Sequence, residues 1–376
     1  MMSIEVTAQC HPALLIDEVL LPIFATLLAG HRKGTLASAA VTCRAWSDPA
    51  LDQLWSGLDK EINLKEADGM ALYFMRSLNW IRFETIARRV RQVQLGSDVE
   101  EQIFLDLYRS NPGSLPLLPN IRRLDFSGRH CDHSLLFIGP NLSGLRLCLT
   151  DKSAGFLAQI PTRSPQISSL AIDVYDWMAW RSMQDISHLF SSLSALQDLR
   201  LDITNLRDIS VLVHDLGELP TLQHLTFLNY HHSQTQTLRW IPVVSTSFPR
   251  LNHFTYSGRV CSWVPGLLRH LAPLVKLQNL RLRGSLQRGR FWSNVAELLA
   301  AAGDHENLES LQVYCCARHL SLEKLIPILQ CSALTSLKVS VGRSIDMDDE
   351  DMKILASSLP RLQNLSLFSL PCHSNP

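Results

Sequence analysis

The sequence predicts an α/β protein: three N-terminal helices followed by a curved solenoid of strand–helix units, with parallel strands on the concave face and helices on the convex face. Three observations predict this. A short apolar pattern recurs 11 times from Val90 to Leu367. Between copies the apolar spacing changes from that of a strand to that of a helix. Ahead of the first copy, residues 12–58 carry apolar side chains at helical spacing, punctuated by glycine and proline.

The recurring pattern is apolar-x-x-apolar-x-apolar. It reads VRQVQL from Val90, IRRLDF from Ile121, LSGLRL from Leu142, ISSLAI from Ile167 and LQDLRL from Leu196. It continues as LQHLTF from Leu222, LNHFTY from Leu251, LQNLRL from Leu277, LESLQV from Leu308, LTSLKV from Leu334 and LQNLSL from Leu362. Successive copies lie 21 to 31 residues apart. Pro119, Pro140, Pro165, Pro220, Pro249 and Pro360 stand shortly before six of them. A proline there stops the preceding helix and fixes the approach to the strand. The last two apolar positions of each copy are two apart, so both side chains face one side of a strand.

The connecting segments read as helices. Ile186, Leu189, Phe190 and Leu193 follow i, i+3, i+4, i+7, as do Val264, Leu267, Leu268 and Leu271, and Leu322, Leu325, Ile326 and Leu329. Strand, crossover helix and strand in about 27 residues make a parallel, right-handed unit. One unit cannot bury both its faces, whereas stacked units can. Residues 88–370 resemble leucine-rich repeat proteins. The Asn/Cys position of that family's repeat is matched only by Cys316, which implies an uneven arc.

In residues 12–58, Leu15, Val19 and Ile23 form one strip of a first helix, flanked by Leu20, Phe24 and Leu27. GHRKGT breaks it. A second helix is predicted through TLASAAVTCRAW with Thr35 as N-cap, and a third from SDPALDQLW with Ser47 or Asp48 as cap and Pro49 in the first turn. Three helices this short cannot bury all of these side chains among themselves. LIDEVLLPIF from Leu15, VTCRAW from Val41 and LW at Leu54–Trp55 resemble an F-box, with Ile16 at the family's proline and Thr42 between Val41 and Cys43. NWIRFETIARRVRQVQL resembles the linker and first repeat of fungal F-box proteins with leucine-rich repeats. The layout is then an F-box-like module at 12–58, a helical linker at 59–87 and the solenoid at 88–370.

The resemblance implies a substrate-recognition subunit of an SCF-type ubiquitin ligase, joined through the adaptor Skp1 to a cullin and a RING subunit. It assigns Skp1 binding to Leu15, Val19, Ile23, Phe24, Leu27, Val41, Cys43, Trp46, Leu54 and Trp55. The alternative for Trp46 and Trp55 is that they only pack the segment onto the first repeat. The alternative for the whole module is a cap on an interaction scaffold outside ubiquitin chemistry.

Equal numbers of basic and acidic residues, 35 each, remove the electrostatic case for nucleic acid or an anionic membrane. Leu14 to Leu28 is too short and too acidic to span a bilayer, and the first residues lack signal-peptide features. Nine cysteines without C-x-x-C pairs suit reduced thiols and a cytosolic or nuclear protein. No G-x-S-x-G, H-E-x-x-H, P-loop or G-x-G-x-x-G is present, so no enzyme activity and no cofactor are expected. HCDH at His130–His133 is expected to be a polar turn with no metal. DMDDED at Asp346–Asp351 is expected to open a helix, its carboxylates at the positive end of the dipole.

Residues between and beside the strand apolar positions are expected to face outward. They include Arg146, Arg200, Arg281, Gln312 and Lys338, with Asp173, Asp198, Asp202, His224, His253 and Arg283 alongside. The candidate substrate surface is drawn from these: Asp173, Asp198, Arg200, Asp202, His224, His253, Arg281 and Arg283. It reads as an acidic patch followed by a basic one, suited to a charged protein partner.

Overall fold

The computed structural model describes residues 16–30, 32–58, 80–95, 101–110, 116–127, 131–150, 154–174, 183–203, 210–229, 248–258, 267, 279–284, 291–301, 307–315 and 319–369. The described elements are three consecutive helices followed by parallel strands with helices between many of them. The chain divides into two compact units, Met1–Leu145 and Arg146–Pro376.

The first unit opens with α1 (Asp17–Ala29), α2 (Lys33–Thr42) and α3 (Arg44–Ser56). Their shared core is Leu20, Phe24, Leu36, Ala39, Ala40 and Ala50, with Leu27, Leu28, Trp46, Leu51 and Leu54 packed against it. Alanines at three core positions let the helix backbones approach closely. The helix limits differ from the predicted ones. Residue Lys33 already starts α2, so Thr35 lies inside the helix. Cys43 is extended, with φ −153° and ψ 161°, and its carbonyl accepts from the Trp46 and Ser47 amides. The third helix therefore starts at Arg44, and Pro49 falls in its second turn.

Next come β1 (Gly57–Leu58), α4 (Trp80–Ala87), β2 (Gln92–Leu95), α5 (Glu101–Ser110) and β3 (Arg123–Phe126). Strand β1 pairs in parallel with β2 (Gly57 with Gln92, Leu58 with Val93), and β2 pairs with β3 (Val93 with Leu124). The strand β4 (Gly144–Leu149) contains the division between the units.

The second unit carries β5 (Ser169–Val174), β6 (Asp198–Asp202), β7 (His224–Asn229), β8 (His253–Gly258), β9 (Asn279–Gly284), β10 (Ser310–Cys315), β11 (His319–Leu320), β12 (Ser336–Val341), β13 (Ser344–Ile345) and β14 (Asn364–Ser369). Pairing is parallel and keeps the sequence pattern in register. Leu170 lies beside Leu199, Leu225 and Phe254; Leu280 beside Leu311, Leu337 and Leu365. Apart from the last copy, whose strand β14 is at an edge, these side chains are buried. Each contributes about 1.5–3 kcal/mol through burial.

Among the described residues, the longer helices between strands are α6 (Met183–Ser192), α7 (Ser210–Gly217), α8 (Phe291–Ala301), α9 (Leu322–Leu329) and α10 (Asp349–Ser358). On α6 the predicted Ile186, Leu189 and Phe190 are fully buried, with Leu193 just beyond its end. The stripe predicted for α9 is wrong at one position: Ile326 is exposed, and Ile328 joins Leu325 in the core. The helix predicted over residues 264–271 lies outside the described residues except at Leu267, which is helical and buried. Helix α10 opens on the acidic run, as predicted. Asp348 caps it by accepting from the Glu350 and Asp351 amides at 3.0 and 2.9 Å, and Asp351 completes a capping box.

A turn precedes the strands. The amide of the first apolar residue donates to the carbonyl three residues earlier: Ile121 to Leu118, Leu142 to Gly139, Ile167 to Ser164, Leu251 to Phe248 and Leu362 to Leu359. The second residue of each of these turns is a proline, whose fixed φ suits that position. The next two amides then reach the preceding repeat. Gln223 and His224 both donate to the Gln197 carbonyl, Asn252 and His253 to that of Gln223, and Gln363 and Asn364 to that of Thr335. Backbone carbonyls thus carry a repeat-to-repeat ladder, to which Asn120 and Asn141 add side-chain bonds to the Arg88 and Pro119 carbonyls.

Candidate interaction surfaces

The helices α1–α3 divide the predicted Skp1-facing set in two. Phe24 is 2% exposed, and Leu27, Trp46 and Leu54 pack on the same core. These four hold the module together. Val19, Ile23 and Val41 face outward, the last at 85% exposure. Cys43 is a partly exposed free thiol. Leu15 and the Trp55 side chain lie outside the described residues. Ile16 and Leu21, which the sequence reading left out, are exposed too, Ile16 on the side of Val19 and Ile23 and Leu21 on the other flank of α1. The signal was present in Ile16, Val19 and Ile23, spaced i, i+3, i+7 on a strip beside that of Leu20 and Phe24. The module is tied to the strands that follow. Arg89, just after α4, donates from Nη2 to the Asp48 carboxylate at 2.7 Å and from Nη1 to the Asp48 carbonyl at 3.0 Å, and also meets the Asp52 carboxylate. Burial would lower the Arg89 pKa, but the hydrogen bonds and charges of Asp48 and Asp52 outweigh it and raise it.

In the second unit the predicted polar residues separate by strand. On β5 and β6, Asp173 accepts from Arg146 Nε at 2.7 Å, with Arg146 Nη2 also 2.7 Å away and Arg200 Nη2 3.9 Å from its other oxygen. Asp198 of β6 contacts His224 Nδ1 on β7, and the His224 ring meets that of His253 on β8 edge-on, with centroids 4.8 Å apart. Register sets this row, because Asp198, His224 and His253 are direct neighbours. Burial first, then the charge of His224, holds the His253 imidazole below its ordinary pKa; Glu309 and Asp198 pull the other way. Asp202, predicted to face outward, is instead 8% exposed and lies beside Leu228. The acidic patch is therefore largely neutralised by its own neighbours.

The predicted basic part differs. Arg281 on β9 lies 5.2 Å from the Tyr314 ring centroid on β10. Lys338 on β12 lies 5.8 Å from the same centroid and 5.2 Å from that of Phe368 on β14. Tyr314 also donates to Gln312 Oε1 at 3.3 Å. The Arg283 side chain lies outside the described residues. The two rings were missed in the sequence because only strand pairing brings them beside the cations, two residues further along neighbouring strands.

Burial pushes the Cys331 thiol up to about 12, so it is unreactive at neutral pH. Among the described residues no cluster of three His, Cys, Asp or Glu side chains could hold a metal ion, and no helix is long and apolar enough to cross a membrane.

No family model and no curated protein matches the chain. It is similar to the crystal structure of the Rad7 and Elc1 complex in yeast at 14% identity, covering 92% of this chain and 91% of that one, with a TM-score of 0.36. A score that low does not establish a shared fold.

Proposed function

We propose that this chain is the non-catalytic substrate-recognition subunit of an SCF-type ubiquitin ligase: an F-box protein whose opening helices bind Skp1 and whose leucine-rich repeats hold a protein substrate. The observation that carries the reading is the exposed apolar strip Ile16, Val19 and Ile23 on α1, with Val41 also exposed on α2, on helices that already share a buried core. Large apolar side chains grouped on a surface mark a site that a partner covers. The residue order LIDEVLLPIF, VTCRAW and LW supports an F-box as the identity of that surface. The receptor acts by proximity: it holds a substrate lysine near a charged ubiquitin-conjugating enzyme and raises its effective concentration.

A second reading has its own support. Strand β1 follows directly on α3 and pairs with β2, so the helical module also closes one side of the strand array. A cap alone does not require Ile16, Val19 and Ile23 to face water. Co-expression with Skp1 separates the two. The receptor reading expects the full chain to co-purify with Skp1 and Ile23→Asp to lose it while staying folded. A soluble wild-type chain that leaves Skp1 behind refutes it in favour of the cap.

A further inference from the structure

We propose that the face of β9, β10, β12 and β14 docks an acidic, extended peptide segment whose carboxylates recur at every third residue. Each of the four strands contributes one side chain to a zigzag: Arg281 and Lys338 stand level across the strands, and Tyr314 and Phe368 stand level with each other two residues further along. Among the described residues, the cations meet rings and pair with no acid. The four strand sequences, NLRLRG, SLQVYC, SLKVSV and NLSLFS, contain no Asp or Glu. Elsewhere in the same unit, Arg146 and Arg200 share Asp173, and His224 meets Asp198. Arg281 Nε is buried without a hydrogen-bond partner. The charge on this face is thus fixed in place by aromatic contacts and left for an anion from outside.

Register sets the spacing of that anion. Arg281 pairs with Gln312, and Gln312 with Lys338, so the cations are two strand spacings apart, about 9.6 Å. A polyproline-type segment repeats every three residues at about 3.1 Å each, which brings side chains of the same side about 9.3 Å apart. Such a segment, crossing the strands with carboxylates at i and i+3, meets both cations over Gln312 and runs alongside Tyr314 and Phe368. A β-strand ligand repeats at about 6.8 Å and misses the second cation. The proposal supplies the class of segment that the receptor reading leaves open. It rests on that reading only for its use in the cell.

Fluorescence anisotropy with the full chain and a labelled peptide of five Glu-Pro-Pro units tests it. Saturable binding is expected, weakened by added salt, absent for a Gln-Pro-Pro peptide and weaker when Glu recurs at every second residue. Arg281→Met with Lys338→Met should weaken binding about tenfold or more, whereas Lys338→Arg should retain it. Circular dichroism checks that the variants fold. If the Glu-Pro-Pro peptide does not bind, or binds the folded double variant equally well, the proposal is wrong. Binding only when phosphoserine replaces Glu, or only of single-stranded nucleic acid, overturns it in favour of that ligand. Skp1 co-purification, measured in parallel, should be unchanged in the double variant, so either reading can fail without the other.

Discussion

The Phe24 ring meets the Trp46 indole edge-on, with centroids 6.1 Å apart and planes at 73°. That contact joins α1 to α3, and it separates the residues that build the helical module from those that face out of it. Phe24→Ala should cost about 3–5 kcal/mol by opening a void in a small core. Ile23→Asp, one residue away and exposed, should leave the melting temperature nearly unchanged. Thermal unfolding followed by tryptophan fluorescence compares the two. Equal destabilisation would mean that Ile23 belongs to the core.

Arg89 is the main polar tie between α3 and the strands after it. Its own side chain is mostly buried, but both carboxylates are exposed, so solvent screening keeps the contribution modest. Arg89→Met should cost about 1 kcal/mol. Hydrogen exchange should quicken first at the β1–β2 pairing, before the rest of the first unit is affected.

Asp173 serves two guanidiniums at once. Asp173→Asn should cost about 1 kcal/mol, since all three groups are partly exposed. In that background Arg146→Met should add little, because its partner has already lost its charge. A double-mutant cycle in urea reads the coupling, and simple additivity would show that the pair contributes nothing.

His253 should make the fold sensitive to mild acid. Its pKa is depressed in the folded chain, so the unfolded chain takes up the proton first as pH falls below about 6.5. The stability associated with neutral His253 is complete above that pH and is lost as pH falls through it towards the lower folded value. His253→Gln should flatten this part of the slope. Urea midpoints across about pH 5 to pH 8 test it, and an unchanged slope would assign the acid sensitivity to other groups.

The strands were legible because each needs only a local pattern. Val93 with Leu95, Leu199 with Leu201 and Leu337 with Val339 all occupy the strand positions their spacing predicts. The prolines were legible for the same reason, although their place in a turn was not. What escaped depends on neighbours that are distant in sequence. Asp202 alternates correctly for an outward position, yet it lies beside Leu228 and is buried. Ile326 fits a helical stripe, but packing selects Ile328. Phe24 and Ile23 are both large and apolar, and only the completed core shows which one faces outward. Tyr314 and Phe368 come beside the cations through strand pairing, which connecting segments of unequal length conceal.

The most direct measurement is isothermal titration of Skp1 into the full chain, beside a variant carrying Ile23→Asp and Val41→Asp. The account predicts saturable binding with a negative heat-capacity change for the wild type, as burial of the Ile16, Val19 and Ile23 strip requires. It predicts no binding for the folded double variant. Equal binding by both forms would contradict the assignment of that strip as the adaptor surface. No binding by a folded wild-type chain would contradict the receptor account itself.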